Sequence, residues 1–567
     1  MASSNDTLQE NHEDDIPPAI SVPDSGDTGE GGKLKMIVQL VKKCLGVKDI
    51  AAMRLSLPAS LLEPIPNLEF SHYLDRPDVF AAINDSDDPF ERMLAVIRFA
   101  ATKDLKYIRG KVCKPYNSVL GEHFRAHWDV PPLVVTGDDE PPVAQILVTA
   151  PTSGLTPPES MLLPPSDTAS IKSSKSGRSS KSFMSSLTPK SPSTAATSPQ
   201  QLAEGDVSAQ MSQLHLDGSP SPSEDEKLRV VYLTEQISHH PPVSAYYAAC
   251  PSRHVELLGI DQISAKVAGT SVKVSPGAFN KGMFVNITGG HGEGERYQVT
   301  HPTASVNGIL RGSFYITVSE TAIITCTGGR HGQKFRTIIE YKEESWLGRA
   351  HFLIEGVIHT VFENETQHEE WTRIKHVPPS RVVAVFDGSW RGNIRWKRVG
   401  TGSYPAATSS SASSPNPSHT ALPSPSNRSS GAASKADLTA GANSDYTTLI
   451  DLSTLWVVPK QVRPLERQLP DESRRLWEGV TGRLLRKEFS DATREKMAIE
   501  QRQRDEAAER KKKGTAFVPR YFEAEISSGV PTITEEGRKA VEEEMKEKDD
   551  GDGDDDDADA EVQTPIA

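Results

Sequence analysis

The chain lacks the features of disulfide-stabilised, secreted and membrane-spanning proteins. It has only four cysteines, widely scattered and without a CxxC pair, which favours free thiols in a reducing compartment over a disulfide framework. A run of about 18 apolar residues does not occur, which excludes an ordinary transmembrane helix. The first residues, MASSNDTLQENHEDDIPP, are acidic and polar and contain no secretory signal. These absences predict a soluble, cytoplasmic protein.

The sequence also has few signatures of catalysis. It contains no GxSxG and no HExxH motif, and Ser238 beside His239 would face away from its neighbour on a strand. Gly290, Gly292 and Gly294 match GxGxxG only in part and lie between expected strands, where a hairpin loop is the better interpretation. We therefore predict a protein that is not an enzyme and that needs no cofactor.

The composition indicates that much of the chain lies outside any core. Hydrophobic residues make up 36% of the sequence, and there are 41 prolines. The net charge of −14 comes partly from the tail KEKDDGDGDDDDADAEV, so it describes that tail more than any binding face. Two stretches are dominated by Ser, Thr, Pro and Gly and predict disordered insertions.

The remaining sequence predicts an α+β fold with a large antiparallel β-barrel. Short alternating segments such as KLRVVYLTEQ, VELLGI and KFRTIIEY are separated by Gly and Asn breaks, and GILRGSFYITVSE and TAIITCTGG are expected to be two separate strands. DPFERMLAVIRFAATKDL predicts an amphipathic helix with Asp88 as its cap and Pro89 at its first position. A helix-rich segment closes the domain. Such a core is large enough to enclose a cavity.

The expected organisation has seven parts. They are a disordered N-terminus (1–31), a lid and first part of the domain (32–136), a disordered insertion (137–226), the β-barrel (227–400), a second disordered insertion (401–445), a C-terminal helical part (446–525) and an acidic disordered tail (526–567).

A short basic helix is predicted near the N-terminus, in GGKLKMIVQLVKKCLG. Its apolar residues recur at helical spacing and are Leu34, Ile37, Val38, Val41 and Leu45. The pattern fits a helix packed on the core, and it fits equally a lid or a helix that contacts a membrane surface.

The stretch TEQISHHPPVSAYY places two histidines against two prolines. Pro241 favours extended backbone at His240, so the two side chains are expected to point in roughly opposite directions. Adjacent strand histidines cannot easily chelate one ion, and no third ligand has zinc spacing, so no metal site is predicted. The prolines indicate that the strand ends there or lies at an edge. Histidines at an exposed strand end suit an anion, the alternative being rim histidines without a ligand.

Two further segments carry cations. In CKPYNSVLGEHF, Lys114 and Asn117 precede a tight turn and combine a point charge with two amide donors, which suits a phosphate. In EKMAIEQRQR, Lys496, Glu500 and Arg504 lie on one helical face. A surface lysine and a solvated ion-pair ladder are the respective alternatives.

Together these motifs resemble the oxysterol-binding protein related family. EQISHHPPVSAYY closely resembles its EQVSHHPP fingerprint, and KPYNSVLGE is similar to its KPxNPxxGE motif, with Ser118 in place of the usual proline. RPLERQLPDESRRLW, EKMAIEQRQR and GTAFVPRYF resemble its C-terminal segment in order and spacing. The resemblance covers about residues 33 to 525 apart from the insertions, and it is closest to the short fungal members without a pleckstrin-homology domain.

The resemblance implies a site for phosphatidylinositol 4-phosphate at the rim of a lipid tunnel closed by an N-terminal lid. Carried over by motif, the headgroup would be bound by Lys114, Asn117, His239, His240, Lys496, Glu500 and Arg504. The residues Leu34, Ile37, Val38, Val41 and Leu45 would form the apolar face of the lid.

The same resemblance implies a lipid transfer protein that exchanges this phosphoinositide for a second lipid. KPYN and DLSTLWVVPKQVRPLERQ are most similar to the phosphatidylserine-carrying branch, whereas EPIPNLEFSHYLDRPDVF is as similar to the sterol-carrying branch. Phosphatidylserine is therefore the favoured counter-lipid and sterol the alternative, and a lipid-occupancy sensor or scaffold is a further alternative. We expect a monomer that does not bind nucleic acid and that contacts anionic membranes transiently, at the endoplasmic reticulum and other membranes or contact sites.

Overall fold

The computed structural model describes residues 20–21, 30–53, 55–110, 112–134, 227–309, 312–344, 351–399 and 446–547. The two predicted insertions lie outside these residues, as do most of the predicted disordered N-terminus and the last part of the tail. No helix in the described ranges is long and apolar enough to cross a bilayer.

Nine helices lie in the described residues. They are α1 (Glu30–Lys43), α2 (Asn67–Phe70), α3 (Pro77–Ala81), α4 (Pro89–Thr102), α5 (Leu105–Arg109), α6 (Ser473–Leu476), α7 (Glu478–Leu485), α8 (Phe489–Lys513) and α9 (Glu535–Met545).

Seventeen strands accompany them in the same residues. They are β1 (Ile20–Ser21), β2 (Leu55–Ser56), β3 (His123–Val130), β4 (Leu228–His239), β5 (Pro242–Cys250), β6 (Val255–Asp261), β7 (Ile263–Ala268), β8 (Ser271–Pro276), β9 (Met283–Ile287), β10 (Glu295–Val299), β11 (Thr303–Asn307), β12 (Tyr315–Gly328), β13 (Gln333–Tyr341), β14 (Leu353–Phe362), β15 (Val382–Ser389), β16 (Asn393–Arg398) and β17 (Thr447–Asp451).

The strands form one large sheet and one small pair. β1 and β2 pair in parallel, so part of the predicted disordered N-terminus adopts a short strand. The other 15 strands form a single sheet whose main path runs from β17 through β16, β15, β14, β13, β12, β10, β9, β6, β5 and β4 to β3. β7, β8 and β11 extend it from the side of β12. The α+β class and the large antiparallel sheet are confirmed.

The hydrogen-bonded path of this sheet does not close on itself, because β3 and β17 are its two ends. The segment after β17 covers the free edge of β3. The backbone of Gln461 exchanges two hydrogen bonds with His127, at 2.8 and 3.1 Å, and His123 donates to the carbonyl of Asp471 at 3.1 Å. The expected barrel is thus completed by an irregular segment, which also removes an exposed strand edge.

Alternating side chains divide the sheet into two buried faces. Tyr232 of β4 lies in the main core with helix α4, whereas its neighbour Leu233 packs with Tyr521 and Phe522 of the C-terminal segment. Both faces of β4 are therefore covered, and its residues are buried without interruption from Val230 to Ser238.

Two sequence-based expectations are corrected. The YITVSE end of GILRGSFYITVSE continues into TAIITCTG as one strand, β12, whose first half pairs with β11 and whose second half pairs with β10 and β13. The tail predicted to be disordered from residue 526 contains α9, whose acidic side chains pair with the sheet. Glu543 accepts from Arg125 at 2.8 Å, and Glu544 lies 2.8 Å from the Nδ1 atom of His127.

Helix α4 begins as predicted and is anchored by a buried ion pair. The side chain of Asp88 accepts from the backbone N–H of Phe90 at 2.8 Å. Inside the core, Arg92 Nε donates to Glu295 at 2.8 Å, and the Tyr297 hydroxyl donates to the same carboxylate at 2.7 Å. The side chains of Arg92 and Glu295 are both almost completely buried. The charge of each is therefore compensated by the charge of the other.

Replacement of this arginine is expected to destabilise the fold strongly. Arg92→Met fills much of the space but leaves the Glu295 carboxylate buried and unpaired, a loss of about 3–5 kcal/mol in unfolding free energy. Arg253→Met, at the half-exposed ion pair with Asp85, is the control and should lose less than about 1 kcal/mol. Urea unfolding measures both, and equal losses would contradict the assignment.

Candidate functional site

In the loop after α5, the exposed side chains of Lys114 and Asn117 line a cavity, whereas Tyr116 between them does not. Tyr116 is completely buried against Trp477, with ring centroids 4.9 Å apart, and its hydroxyl lies 3.0 Å from the hydroxyl of Thr481. Lys114 Nζ donates to the Asn117 side chain at 2.7 Å. Alternation between buried anchors and exposed polar side chains thus directs the two predicted residues to one side.

Glu122, the last residue of the KPYNSVLGE motif, connects this loop to the C-terminal helices. Its carboxylate accepts from the Ser473 hydroxyl at 2.7 Å, from Trp477 Nε1 at 3.0 Å and from the backbone N–H of Val119 at 3.0 Å. The side chain is fully buried, and this burial raises the pKa of Glu122 to about 7. The motif glutamate is therefore a structural connector, a role that its position in the sequence did not indicate.

The histidine pair lies at a hairpin between β4 and β5. His239 pairs with Pro242 across the hairpin, so His240 and Pro241 form the turn. The prediction that the strand ends there is confirmed. The expectation that the rings point apart is wrong, since their centroids are 4.5 Å apart. The turn, rather than an extended strand, brings the two rings together.

Two backbone hydrogen bonds fix this hairpin beside the Lys114 loop. Gly121 donates to the carbonyl of Gln236 at 2.9 Å, and Gln236 donates to the carbonyl of Glu122 at 2.8 Å. The two sequence motifs, more than a hundred residues apart, are therefore neighbours in the sheet.

Helix α8 supplies the third group of predicted residues. Ala492 packs in one buried cluster with Tyr116 and Trp477, which places the start of the helix against the Lys114 loop. One turn further, Lys496 is buried and forms an ion pair with Glu500. Arg504 does not pair with Glu500 but donates to Gln501, at 3.0 Å.

These residues surround one end of a cavity of about 800 Å³. Of the seven predicted headgroup residues, Lys114, Asn117, His239, His240, Glu500 and Arg504 line it, while Lys496 is paired to Glu500 behind them. The same face of α8 also contributes Gln503, Ala507 and Arg510. Sequence reasoning missed Arg510, although it continues the helical spacing of Glu500, Gln503 and Ala507.

The rest of the cavity wall is largely apolar. Its aliphatic and aromatic lining includes Ile97, Ile108, Val272, Val274, Ile316, Val318, Ile339, Ile354, Phe386, Trp390 and Ile394. Helix α4 and the inner face of the sheet thus provide a surface suited to hydrocarbon chains.

The surroundings of Lys114 disfavour its positively charged form. The Lys114 side chain lines the cavity and keeps solvent-accessible surface. Desolvation, together with the positive charge of Lys496, lowers the pKa of Lys114 to about 8. An anion placed here would favour the protonated lysine, so the site is set up to bind negative charge.

The predicted lid residues occupy different environments. Leu34, Ile37, Val38 and Val41 are half-buried on α1, but Leu45 lies beyond the end of the helix and is 59% exposed. The expectation that Leu45 belongs to the apolar face is therefore wrong, since α1 ends at Lys43. Met36 and Cys44 are the buried residues instead.

The segment after α1 reaches the cavity. Ile50 donates to the carbonyl of Ala265 at 2.6 Å, and Ala265 donates to the Asp49 side chain at 2.9 Å. Ile50, Ala51 and Met53 line the cavity. Within the described residues, the cavity lining from this N-terminal region therefore comes from residues 50–53 rather than from α1 itself.

Glu235, the first residue of the EQISHHPP stretch, attaches the C-terminal segment to the sheet. Its carboxylate accepts from the backbone N–H groups of Arg520 and Tyr521, at 2.7 and 2.8 Å. Burial raises the pKa of Glu235 to about 7. Like Glu122, this motif residue joins distant segments and does not line the cavity.

A large antiparallel sheet that lines an apolar cavity, together with the cations of separate sequence motifs on its wall, is typical of a lipid-binding domain. The family model described as Oxysterol-binding protein matches residues 36–138 and 222–548. The chain belongs to this family of lipid-binding and lipid-transfer proteins. The matched ranges omit most of the first predicted insertion and extend through α9.

Two relatives in sequence agree with this assignment. The chain is 37% identical to Oxysterol-binding protein-like protein 1 of Schizosaccharomyces pombe over 547 residues, which is 94% of this chain and 95% of that protein. It is 24% identical to Oxysterol-binding protein-related protein 10 of Homo sapiens over 82% of this chain and 43% of the human protein. The crystal structure of the Osh1 ORD domain in complex with cholesterol aligns with 89% of this chain and 88% of that chain, at 16% identity and a TM-score of 0.49.

The raised pKa of Glu122 predicts a specific pH dependence of stability. Between its ordinary value of 4.5 and about 7, the folded state binds more protons at this site than the unfolded state. Its contribution to the unfolding free energy therefore falls as the pH rises, by up to about 1.4 kcal/mol per pH unit. Glu122→Gln removes this titration, so the variant should gain stability relative to the wild type between pH 5 and pH 7.

Urea unfolding at several pH values measures the difference between the two proteins. Glu478→Gln, at an exposed side chain paired with Arg475, is the matched control and should change stability by less than about 0.5 kcal/mol at each pH. A wild-type-minus-Glu122→Gln difference that does not vary with pH would disprove the assigned role.

Proposed function

We propose that the chain exchanges phosphatidylinositol 4-phosphate for a counter-lipid between membranes, with phosphatidylserine as the favoured counter-lipid. The observation that carries the proposal is that three separate sequence motifs place cations and hydrogen-bond donors at one end of a single apolar cavity. A phosphoinositide has the complementary form, with a strongly charged headgroup and two hydrocarbon chains.

The headgroup residues have distinct roles in this proposal. Lys114, Lys496 and Arg504 provide positive charge to the 4-phosphate, and Glu500 orients Lys496 or accepts from an inositol hydroxyl. Asn117 and the two hairpin histidines add directional donors. Since a phosphate monoester carries nearly two negative charges, several donors are needed to replace its water.

Exchange follows from the sharing of one cavity. Both lipids would place their chains against the same apolar wall, so the binding of one displaces the other. A gradient of the phosphoinositide between two membranes can then drive the counter-lipid against its own gradient, without any covalent step.

Membrane contact is proposed to involve the basic side of α1. Lys35, Lys42 and Lys43 are exposed on this helix and its end, and lysines near an anionic surface contribute about 1 kcal/mol each to binding. We propose that the protein acts as a monomer at the endoplasmic reticulum and other membranes, bound only peripherally and transiently.

Removal of both hairpin histidines tests the headgroup site. His239→Ala with His240→Ala should reduce phosphatidylinositol 4-phosphate extraction from liposomes by about 100-fold, because two donors to a charged group are lost. Binding of the counter-lipid should remain largely intact. The amount of each lipid bound after incubation with liposomes measures both effects.

A matched double variant tests whether the loss of two histidines elsewhere in the protein has the same effect. His291→Ala with His331→Ala changes two exposed loop histidines outside the cavity lining and should extract phosphoinositide like the wild type. Unchanged extraction by the hairpin variant would rule out the proposed headgroup role of the histidines.

A lipid-occupancy sensor is the second candidate function. It is favoured by the position of Ile50, Ala51 and Met53, which join the cavity wall to the end of α1. A bound lipid would therefore contact the segment that holds the helix.

Transfer between two liposome populations distinguishes the candidates. A carrier moves many lipids per protein molecule, and we expect such turnover here. Binding of one lipid per protein without turnover would favour the sensor.

A further inference from the structure

A second polar group lies on the cavity wall, and the phosphoinositide site does not use it. It consists of Tyr73, Lys103, Asp104, Asp261 and His301, and we call it the Asp261 cluster. All five side chains line the cavity. They come from the segment after α2, from the α4–α5 junction, from the end of β6 and from the residues after β10. Asp261 pairs in register with Ser244 of β5, so the cluster lies one strand beyond the histidine hairpin.

The members of the cluster are held against one another. The hydroxyl of Tyr73 donates to Asp261 Oδ1 at 2.6 Å, and the Tyr73 ring stacks on His301 with centroids 5.2 Å apart. Lys103 Nζ lies 5.5 Å from the centre of the Tyr73 ring and forms an ion pair with Asp104. The geometry is therefore that of a built site rather than of scattered surface charges.

The charged side chains of the cluster carry one more negative charge than positive charge. Lys103 is paired with Asp104, and the neighbouring Lys106 is paired with Asp75 at 2.9 Å. Within the described residues, Asp261 has no ion-pair partner, and its carboxylate accepts only the Tyr73 hydroxyl. Although burial raises the pKa of Asp261 to about 6, the group is mostly ionised at neutral pH. One carboxylate charge therefore faces the cavity without a contacting cation, an arrangement that favours a cationic ligand group.

His301 adds an unused hydrogen-bonding atom. Its Nε2 atom is buried and has no hydrogen-bond partner within the described residues. Desolvation lowers the pKa of His301 to about 3, so the ring is neutral and can donate or accept. A ligand group beside Asp261 would thus find an anion on one side and a neutral donor or acceptor on the other.

We propose that the Asp261 cluster binds the primary ammonium group of an aminophospholipid. The ammonium would donate to the free oxygen of Asp261, and an oxygen of the same headgroup would accept from His301. This proposal rests on the proposed function, since it names the part of the counter-lipid that the cavity recognises. A sterol hydroxyl would leave the carboxylate charge uncompensated, and a choline headgroup has no N–H to donate.

Asp261→Asn is the decisive variant because it keeps the size of the side chain and an oxygen for Tyr73 while removing the charge. The full chain would be incubated with phosphatidylcholine vesicles that contain phosphatidylserine, phosphatidylethanolamine, cholesterol or phosphatidylinositol 4-phosphate, and the extracted lipids would be quantified. We expect the preference for the two aminophospholipids over phosphatidylcholine to fall at least tenfold. Extraction of phosphatidylinositol 4-phosphate should not change.

Two further variants keep the test conclusive. Asp85→Asn, at an ion pair outside the cavity lining, is the matched control and should behave like the wild type. Asp104→Asn leaves Asp261 in place but makes the cluster more positive, so the aminophospholipid preference should fall by about threefold. Because the readout is a ratio of two lipids extracted by the same sample, partial unfolding does not alter it.

The outcomes separate this proposal from the proposed function. If the wild type and Asp261→Asn prefer aminophospholipids equally, or if only cholesterol extraction is lost, the assignment of the Asp261 cluster is wrong and the exchange function stands. If the wild type extracts phosphatidylinositol 4-phosphate but no aminophospholipid, both the favoured counter-lipid and the cluster assignment are wrong. If it extracts no phosphoinositide, the exchange function itself fails.

Discussion

Two backbone hydrogen bonds, from Gly121 to the Gln236 carbonyl and from Gln236 to the Glu122 carbonyl, join the loop after α5 to the last part of β4. They place the Lys114 loop beside the histidine hairpin. The buried carboxylate of Glu122 then adds Ser473 and Trp477, and with them the helices that lead into α8. The cavity-lining side chains of these motifs thus depend on buried contacts of Glu122, Ser473 and Trp477, which do not line the cavity themselves.

The site combines two environments that normally exclude each other. Hydrocarbon needs dry walls, whereas a phosphate needs concentrated positive charge, and bringing the two together desolvates the charges. This desolvation lowers the pKa of Lys114. Lys496 is buried as well, and its partner Glu500 compensates the charge in the absence of ligand.

Local patterns and motifs predicted the parts of the molecule whose determinants are close together in sequence. Asp88 and Pro89 define the start of α4, alternation defines β4, and the motif residues meet at the cavity. Contacts over long sequence separations were not predictable. The acidic residues of α9 resemble a disordered tail until Arg125 and His127 are seen opposite them. The members of the Asp261 cluster have no common spacing, since four separate stretches of chain contribute them.

The positions of the two long connections have a consequence for how the domain tolerates change. The described chain stops at residue 134 and resumes at 227, between β3 and β4, and it stops at 399 and resumes at 446, between β16 and β17. In both cases the flanking strands are antiparallel neighbours, with Val130 opposite Leu228 and Trp396 opposite Thr447. The ends of each connection are therefore held together by the sheet, whatever lies between them. Because the entropy of closing a loop grows only logarithmically with its length, the free-energy cost of joining each strand pair depends only weakly on the number of residues between them.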